Sequence, residues 1–255
     1  MIYQTLLLES KKGYAVVTLH RPKEMNAISR QMGEDLYVCF TALEEDSEIR
    51  AIVLTGGDYV FSSGMDLKEL SVLPETEIGP LYRGMARYLK RIYSCRKPVV
   101  GAVGGIALGG GFNLAACCDL LVASESAIFG HPEVAFGINP LFTPLQQIVG
   151  MAKAKELTML GQPIGAKEAL HIGLVNKVAT PERLMIEADA LARELADKSP
   201  EAIGAVKRVC GIAPYLDRIS VLEMEIDIEA FLYAGEERKK RMAEFLKSLR
   251  ERKKG

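Results

Sequence analysis

The sequence lacks the features that mark membrane, secreted and metal-binding proteins. No apolar run reaches the roughly 20 residues needed to cross a bilayer. The N-terminal stretch MIYQTLLLES lacks the basic segment and long apolar run of a secretory signal. The five cysteines are odd in number and show no CxxC spacing, and there are only three histidines. We therefore expect a cytoplasmic protein with reduced thiols and no metal site.

The sequence also lacks an excess of either charge. Lys and Arg total 32 against 33 Asp and Glu, which gives a formal net charge of -1. This balance gives no electrostatic reason to expect a nucleic acid or an anionic membrane as a partner. Any anionic ligand must then be bound by local groups. A chain of 255 residues can bury a large core, and it fits one domain with a helical appendage.

Strand and helix patterns alternate through the first half of the chain. Tyr3–Leu8 and Tyr14–His20 are predicted to form a hairpin, with the turn at 11–13. Three continuous apolar runs follow, each typical of a strand covered on both faces: Ala51–Leu54, Val99–Val103 and Leu120–Ala123. A helix capped by Ser29 precedes them, and further helices separate them. This order predicts an α/β fold in which parallel strands form a spiral of ββα turns.

The pattern becomes mainly helical after residue 140. Thr180 and Ser199 each precede a proline and are predicted to cap helices. Leu174–Val178 is predicted to be a short strand, and Gly235–Lys254 a charged helix. One face of that helix carries apolar residues and needs a partner, either the core or another subunit; these residues are Met242, Phe245 and Leu249.

The first motif with functional content is FSSGMDLKEL at 61–70, where a strand end meets a helix start. Gly64 can take a backbone conformation barred to other residues. That conformation leaves the amides of Met65 and Asp66 free to point at an acceptor. Taken alone, the motif also suits an ordinary strand-to-helix turn.

The second motif is ALGGGFN at 107–113, directly after a buried strand and at a helix N-terminus. Three consecutive glycines let a ligand approach the backbone, and the helix dipole favours negative charge there. A phosphate loop fits poorly, because GxxxxGK[ST] is absent and no Lys, Ser or Thr follows the glycines. Close packing of helix on strand is the structural alternative.

The third motif is FGHPEVAFG at 129–137, which sets the carboxylate of Glu133 among apolar neighbours. A carboxylate in such a setting is a candidate general base or acid, and an exposed turn glutamate is the alternative. His131 lies two residues before Glu133. It either has a structural role or orients or protonates a group nearby.

Together the three motifs resemble the crotonase family of enoyl-CoA hydratases and isomerases, in which matching glycine-rich loops bind an acyl-CoA thioester. The segment RPKEMNA at 21–27 resembles the family's first coenzyme-binding loop, and CDL at 118–120 its strand after the helix. KPV at 97–99 and the stretch from AKEA to GLV at 166–175 extend the match. The resemblance covers most of the chain.

By this resemblance, residues 1–195 form a crotonase-like spiral core of repeated ββα units that binds acyl-CoA. Residues 196–255 form a C-terminal helical region for oligomerisation and active-site cover. Family members are commonly trimers or hexamers, so we expect a homotrimer or homohexamer. The expected partner is an acyl-CoA thioester substrate, with no cofactor beyond coenzyme A itself and with neither nucleic acid nor membrane.

The resemblance also implies that the backbone amides of Met65 and Gly110 form an oxyanion hole, and that Glu133 transfers protons. The physical reason is independent of the family. Forming an enolate from a thioester puts negative charge on the thioester oxygen, which preorganised amides in a dry site stabilise. The residues expected to line the substrate are Lys23, Met25, Ser63, Asp66, Lys68, Gly109 and Pro132.

The sequence departs from the family hydratases at one catalytic position. Those enzymes carry two glutamates that flank a water, and here the first of them is replaced by Asn113. Asn can hold a water or a substrate oxygen but cannot exchange a proton. Glu133 alone can take a proton from one carbon and return it two carbons away, so the pattern favours double-bond isomerisation over hydration. The sequence after Gly137 also lacks the family's usual glycine-rich run, which alters the acyl pocket.

Other functions within the family stay open. They are enoyl-CoA hydratase, acyl-CoA hydrolase or decarboxylase, and a catalytically inactive acyl-CoA-binding protein. Retention of Glu133 and of the oxyanion glycines favours an enzyme over a binding protein.

Overall fold

The computed structural model describes residues 2–252 and divides into two compact units, Met1–Ala196 and Asp197–Gly255. The described strands are β1 (Leu6–Lys11), β2 (Tyr14–Leu19), β3 (Ala51–Thr55), β4 (Val60–Ser62), β5 (Val99–Val103), β6 (Ile106–Leu108), β7 (Leu120–Ser124), β8 (Ile128–Gly130), β9 (Ile164–Gly165) and β10 (Lys177–Ala179). The helices of the first unit are α1 (Arg30–Glu45), α2 (Leu67–Ser71), α3 (Glu75–Tyr93), α4 (Gly110–Ala116), α5 (Thr143–Leu160), α6 (Ala166–His171) and α7 (Leu184–Ala196).

The strands of the first unit form two sheets. The larger has the order β1-β2-β3-β5-β7-β10 and is parallel except for the β1–β2 hairpin. The smaller has the order β4-β6-β8-β9, with only β8 and β9 antiparallel. Successive turns of the chain each add one strand to the large sheet, one to the small sheet and then helix: β3, β4 and α2 with α3; β5, β6 and α4; β7, β8 and α5. The predicted spiral of ββα units is therefore confirmed.

The central strands β3, β5 and β7 of the large sheet are buried on both faces, as the continuous apolar runs predict. Every residue of β3 is buried, and its side chains alternate between two clusters. Ile52 and Leu54 lie in the cluster that holds α1 and α3, whereas Ala51 and Val53 lie in the one that holds α7. The buried residues of α7 are Leu184, Ala188, Ala192 and Ala196. The three alanines, spaced by four residues on one face, let the helix lie close to the sheet.

Helix α1 follows its sequence pattern closely. The Ser29 side chain accepts a hydrogen bond from the Met32 amide at 3.2 Å, which caps the helix as predicted. Apolar residues spaced three and four positions apart form its buried face: Met32, Leu36, Phe40 and Leu43. This helix anchors the core on one side of the large sheet.

Four local predictions need correction. Strand β1 begins at Leu6 rather than Tyr3, because the amides of Gln4 and Thr5 donate to the Asp35 carboxylate at 3.0 and 2.9 Å instead of joining the sheet. The turn of the hairpin is the residue pair 12–13, since Lys11 pairs with Tyr14.

The predicted strand 174–178 is also displaced. The amides of Leu174 and Val175 donate to the Ala169 carbonyl at 2.8 and 3.2 Å, so these residues close the end of α6 and pairing starts at Lys177. Thr180 accepts no capping hydrogen bond, because a 3-10 turn at Pro181–Arg183 separates it from α7.

The second unit consists of α8 (Pro200–Ile212), α9 (Arg218–Ala234) and α10 (Glu236–Arg252). Ser199 caps α8 by accepting from the Ala202 amide at 3.3 Å, as predicted. The predicted end of the last helix at Lys254 lies outside the described residues. An apolar groove within this unit is lined by Val206, Val209, Phe231, Leu232, Met242 and Phe245. Between residues 2 and 252, no helix combines the length and apolarity that a membrane crossing requires.

Candidate active site

Two backbone amides of the first unit point to a binding site for negative charge. Met65 precedes α2 and Gly110 is the first residue of α4. Among the described residues, neither amide has a hydrogen-bond acceptor within the protein. The two are neighbours, since a Cβ added to Gly110 would lie 3.5 Å from the Met65 nitrogen. The loop after β4 and the loop after β6 therefore present two unused donors side by side.

Glycine is required where these two loops meet. Gly64 has φ of 102°, as expected, and a Cβ there would lie 2.9 Å from the Leu108 carbonyl oxygen and 3.4 Å from the Gly110 nitrogen. A Cβ on Gly111 would lie 2.4 Å from the Ser62 carbonyl oxygen, which no side chain can accept. The glycine run of the second motif thus lets α4 approach β4 closely.

Ser62 and Asn26 fix the loop that carries Met65. The buried Ser62 hydroxyl donates to the Asn26 carbonyl at 2.8 Å and accepts from the Gly64 amide at 3.2 Å. The Asn26 side-chain amide donates to the carbonyls of Gly56 and Val60, both at 3.0 Å. Asn26 has a positive φ of 52°, which Asn tolerates better than most residues. The 21–28 segment is therefore held against the start of the motif.

Asp66 corrects one prediction about this loop. Its amide is not free, because it donates to the Ile28 carbonyl at 3.1 Å, so only Met65 of the predicted pair offers a donor. The Asp66 side chain caps α2 by accepting from the amides of Lys68 and Glu69 at 3.1 and 3.3 Å. It also accepts from the Arg21 guanidinium at 2.9 Å.

These contacts determine the ionisation of Asp66. Burial raises the pKa of its carboxyl, but the hydrogen bond from Arg21 and those from the backbone amides outweigh burial, so the pKa lies below its ordinary value. Asp66 is thus an anion that stabilises the loop, and its role toward the coenzyme stays a prediction.

Glu133 lies beside the glycine loop of α4. It is in the 3-10 turn Pro132–Phe136, which follows β8, and its side chain is 17% exposed. A Cβ on Gly109 would lie 3.2 Å from Glu133 Oε1. Gly109 itself has φ of 51°, and its amide donates to the Gly130 carbonyl at 2.9 Å, which ties the loop to β8. One carboxylate therefore borders the pair of unused amides.

Asn113 is the other catalytic candidate. It lies one turn into α4, where its amide donates to the Gly109 carbonyl at 2.9 Å, and it is buried. Its side chain forms no hydrogen bond with the described residues. A buried carboxamide without a protein partner is free to bind a ligand or a water molecule.

The remaining predicted binding residues lie around the same loops. Lys23 and Lys68 are exposed and form no ion pair within the described chain. Met25 is 48% exposed and has φ of 53°. The Ser63 amide donates to the Met25 carbonyl at 3.0 Å, so this donor is not available to a coenzyme. Pro132 is half-buried at the start of the turn that carries Glu133.

This arrangement has a definite chemical capacity. Two adjacent amides can share an oxyanion, and a carboxylate beside them can exchange a proton with the carbon that the oxyanion activates. Such a site suits an enzyme that stabilises an enolate.

Comparisons with known proteins agree with this class. The chain matches the family described as enoyl-CoA hydratase/isomerase over residues 9–254. It is 36% identical over 253 residues to a short-chain-enoyl-CoA hydratase of Clostridium acetobutylicum, and 35% identical over 253 residues to a crotonyl-CoA hydratase of Syntrophomonas wolfei, with 96% of each chain covered in both cases. It superposes on an enoyl-CoA hydratase from Bacillus anthracis with a TM-score of 0.92 and 28% identity, covering 96% of this chain and 97% of that one. The chain therefore belongs to the enoyl-CoA hydratase/isomerase, or crotonase, family.

Sequence reasoning did not identify Arg21, Asn26 and Ser62 as the residues that shape the oxyanion loop. Arg21 and Asn26 lie in the RPKEMNA segment, which was assigned only to coenzyme binding. Their partners lie in other parts of the chain, since Asn26 donates to the Gly56 carbonyl and Arg21 donates to the Asp66 carboxylate. In the sequence these two polar residues stand near the ends of a short segment with few apolar residues. That pattern does not specify which residues they contact.

Proposed function

We propose that the protein moves the double bond of an enoyl-CoA thioester, with Glu133 as the single general base and acid. The amides of Met65 and Gly110 bind the thioester oxygen. The observation that carries this proposal is the position of one carboxylate beside the glycine loop, with Asn113 where a second carboxylate would serve hydration.

In the proposed reaction Glu133 removes a proton from C2 of a 3-enoyl-CoA. The C2–H bond breaks, and its electron pair spreads through the carbonyl to the thioester oxygen, giving a dienolate. The acid form of Glu133 then returns the proton to C4, so the double bond comes to lie between C2 and C3. The carboxylate is regenerated, and the reaction needs no redox or metal cofactor.

The two amides lower the barrier by binding charge that grows in the transition state. Each donor of such a site contributes on the order of 3 kcal/mol, because a preorganised donor costs no reorganisation when the charge appears. Proton transfer by Glu133 contributes roughly a further 10²- to 10⁴-fold in rate.

Coenzyme binding is assigned to the loops around the same site. Lys23 and Lys68 offer ammonium groups that form no ion pair with the described residues and are suited to phosphate, and the half-exposed Met25 offers apolar surface. Gly109 and Pro132 border the acyl end through their positions next to Glu133.

Hydration of a 2-enoyl-CoA is the second candidate. It is favoured by the relatives from Clostridium acetobutylicum and Syntrophomonas wolfei, which are named as hydratases. Asn113 can hold the attacking water by hydrogen bonds, but the proton transfers of both steps would then fall to Glu133 alone. A hydratase of this type would be slower than one with two carboxylates.

A direct assay separates the two candidates. Purified protein is incubated with 3-enoyl-CoA and with 2-enoyl-CoA of the same chain length, and products are identified by NMR and mass. We expect isomerisation of the 3-enoyl-CoA to exceed hydration of the 2-enoyl-CoA on one preparation. Faster hydration would contradict the isomerase proposal, and binding without any turnover would indicate an acyl-CoA-binding protein.

We also propose that the protein is a cytoplasmic homotrimer or homohexamer. Cysteines that lack CxxC spacing and form no disulfide within the described chain support a reducing compartment. The apolar groove of the second unit, with Phe231 79% exposed, supports an assembly that covers it.

A further inference from the structure

His131 is held rigidly between β8 and the turn that carries Glu133. Its side chain is 2% exposed. The imidazole stacks on the Phe112 ring with centroids 4.6 Å apart and planes 27° apart. Phe112 is itself buried in α4, directly after the glycine run. The ring of His131 is therefore fixed by the same helix that supplies Gly110 and Asn113.

One ring nitrogen of His131 faces the Glu133 carboxylate. His131 Nδ1 lies 3.3 Å from Glu133 Oε2. An ionised carboxylate can only accept a hydrogen bond, so the imidazole must carry a proton on Nδ1 to make this contact. Among the described residues, no other group donates to the Glu133 carboxylate.

A carboxylate with a single donor depends on it for orientation. The Glu133 side chain has three rotatable bonds and is neither fully buried nor otherwise paired. Holding Oε2 at His131 leaves Oε1 directed to the glycine loop, where a Cβ on Gly109 would lie 3.2 Å from it. Proton transfer requires this placement, because small displacements of a catalytic group cost much of the rate.

We infer that His131 is a positioning residue: its Nδ1–H anchors Oε2 of Glu133, so that Oε1 faces the carbon whose proton is transferred. This inference rests on the proposed role of Glu133. In this inference His131 acts through the orientation of Glu133 and transfers no proton to or from the substrate. Stacking on Phe112 fixes the ring of His131, and the Nδ1–H of that ring fixes the carboxylate of Glu133.

A matched pair of variants separates hydrogen bonding from packing. His131→Asn keeps a donor nitrogen at the Nδ1 position, whereas His131→Leu has nearly the same shape as Asn without a donor. Turnover of the enoyl-CoA that wild type converts fastest is measured for both. We expect His131→Leu to lower kcat by about 10- to 100-fold with KM unchanged, and His131→Asn to restore most of the wild-type kcat. If both variants lose kcat equally, or neither does, the inference is overturned.

Two further measurements serve as controls for folding and for substrate binding. Circular dichroism and calorimetric binding of a saturated acyl-CoA show whether the variants are folded and bind normally. If His131→Leu does not fold, His131→Met replaces it, because Met packs against an aromatic ring and also lacks a donor.

The same variants in a Glu133→Gln background separate failure of the inference from failure of the proposed function. With the base removed, His131→Leu should cause no further loss of kcat, and an additional loss of the same size would overturn the positioning role. If Glu133→Gln alone retains wild-type activity, the proposed function fails instead.

Discussion

At the scale of single residues, the site depends on groups that the fold leaves without partners. The amides of Met65 and Gly110 lack acceptors among the described residues, although backbone donors buried in a protein are nearly always paired. The Asn113 carboxamide likewise has no hydrogen-bond partner among the described residues. Unused donors of this kind reduce stability unless a ligand satisfies them, and the amides of Met65 and Gly110 lie together at the glycine loop that borders Glu133.

Removing one of these donors tests the oxyanion hole. Gly110→Pro deletes the amide hydrogen at the first position of α4, where proline is otherwise well tolerated. We expect kcat to fall by about 10²- to 10³-fold, as for loss of other oxyanion donors. Gly110→Ala is the control, because it keeps the N–H and its Cβ would make ordinary contacts of 3.5 Å with Met65. Steady-state kinetics and circular dichroism are measured on both, and a folded, fully active Gly110→Pro would contradict the amide's role.

A second carboxylate should change which reaction is favoured. Asn113→Glu supplies a group that can exchange protons with a water, so we expect hydration of a 2-enoyl-CoA to increase by about tenfold or more, toward the 10²- to 10⁴-fold that acid–base catalysis supplies. Repulsion between the two carboxylates limits the gain. Asn113→Gln is the matched control, because its side chain has the length of Glu but cannot act as a general acid or base. Equal hydration rates for the two variants would show that the second carboxylate is not what the wild type lacks.

At the scale of elements, the loop before α2 is held by an ion pair and a helix cap. Arg21 reaches across from the 21–28 segment to Asp66, which also caps α2. Both side chains are largely buried, at 20% and 11% exposure, so solvent screens this pair less than a surface pair. The pair therefore joins the first coenzyme loop to the segment that presents the Met65 amide.

Removing the charge of Asp66 should lower stability at neutral pH. Asp66→Asn keeps a good helix cap but loses the ion pair, and we expect the free energy of unfolding to fall by about 1–3 kcal/mol. The pKa of Asp66 is lower in the folded state, so its contribution is complete above the unfolded pKa of about 3.9 and is lost as pH falls through the folded value. The difference between wild type and variant should thus shrink below that pH.

Urea unfolding at equal protein concentration, at neutral and at acidic pH, measures this effect. Asp217→Asn is the control, because Asp217 caps α9 in the same way but forms no ion pair with an arginine in the described chain. A pH-independent difference for Asp66→Asn would mean that the ion pair with Arg21 contributes nothing.

The elements also show what the sequence could and could not predict. Apolar periodicity identified α1 and the strands β3, β5 and β7, because the buried residues of each element are close together in the sequence and show as a local apolar pattern. It misplaced β1 and β10, where the bonds from Thr5 to Asp35 and from Leu174 to Ala169 decide the boundary. In the site, the glycines were evident from their backbone requirements. The contacts of Asn26 and of His131 with their partners were not, since they depend on how separate elements meet.

At the scale of the whole molecule, repetition of the ββα unit creates the site. Successive turns deliver β4 and β6 side by side, so the loops that follow them bring Met65 and Gly110 together. The next turn delivers β8 beside β6 and places Glu133 at the same edge. Three segments far apart in sequence thus converge because the strands that precede them are neighbours in one sheet.

The proposed assembly can be tested on the second unit. Light scattering of wild type should give three or six times the chain mass of 27.9 kDa. Phe231→Asp places a charge in the apolar groove and should produce smaller species, because an interface core tolerates no unpaired charge. Lys240→Asp is the control at an exposed polar position of the same unit. A monomeric wild type, or an intact assembly in Phe231→Asp, would contradict this proposal.

The most direct test of the central claim is the activity of Glu133→Gln. This variant keeps the shape of the side chain and one acceptor oxygen, and it removes the negative charge and the ability to take up and return a proton. Conversion of 3-enoyl-CoA to 2-enoyl-CoA is followed for wild type and variant on matched preparations, with KM determined for each. We predict that kcat falls by roughly 10²- to 10⁴-fold while KM changes little. A folded Glu133→Gln that isomerises as fast as wild type would contradict the single-base mechanism.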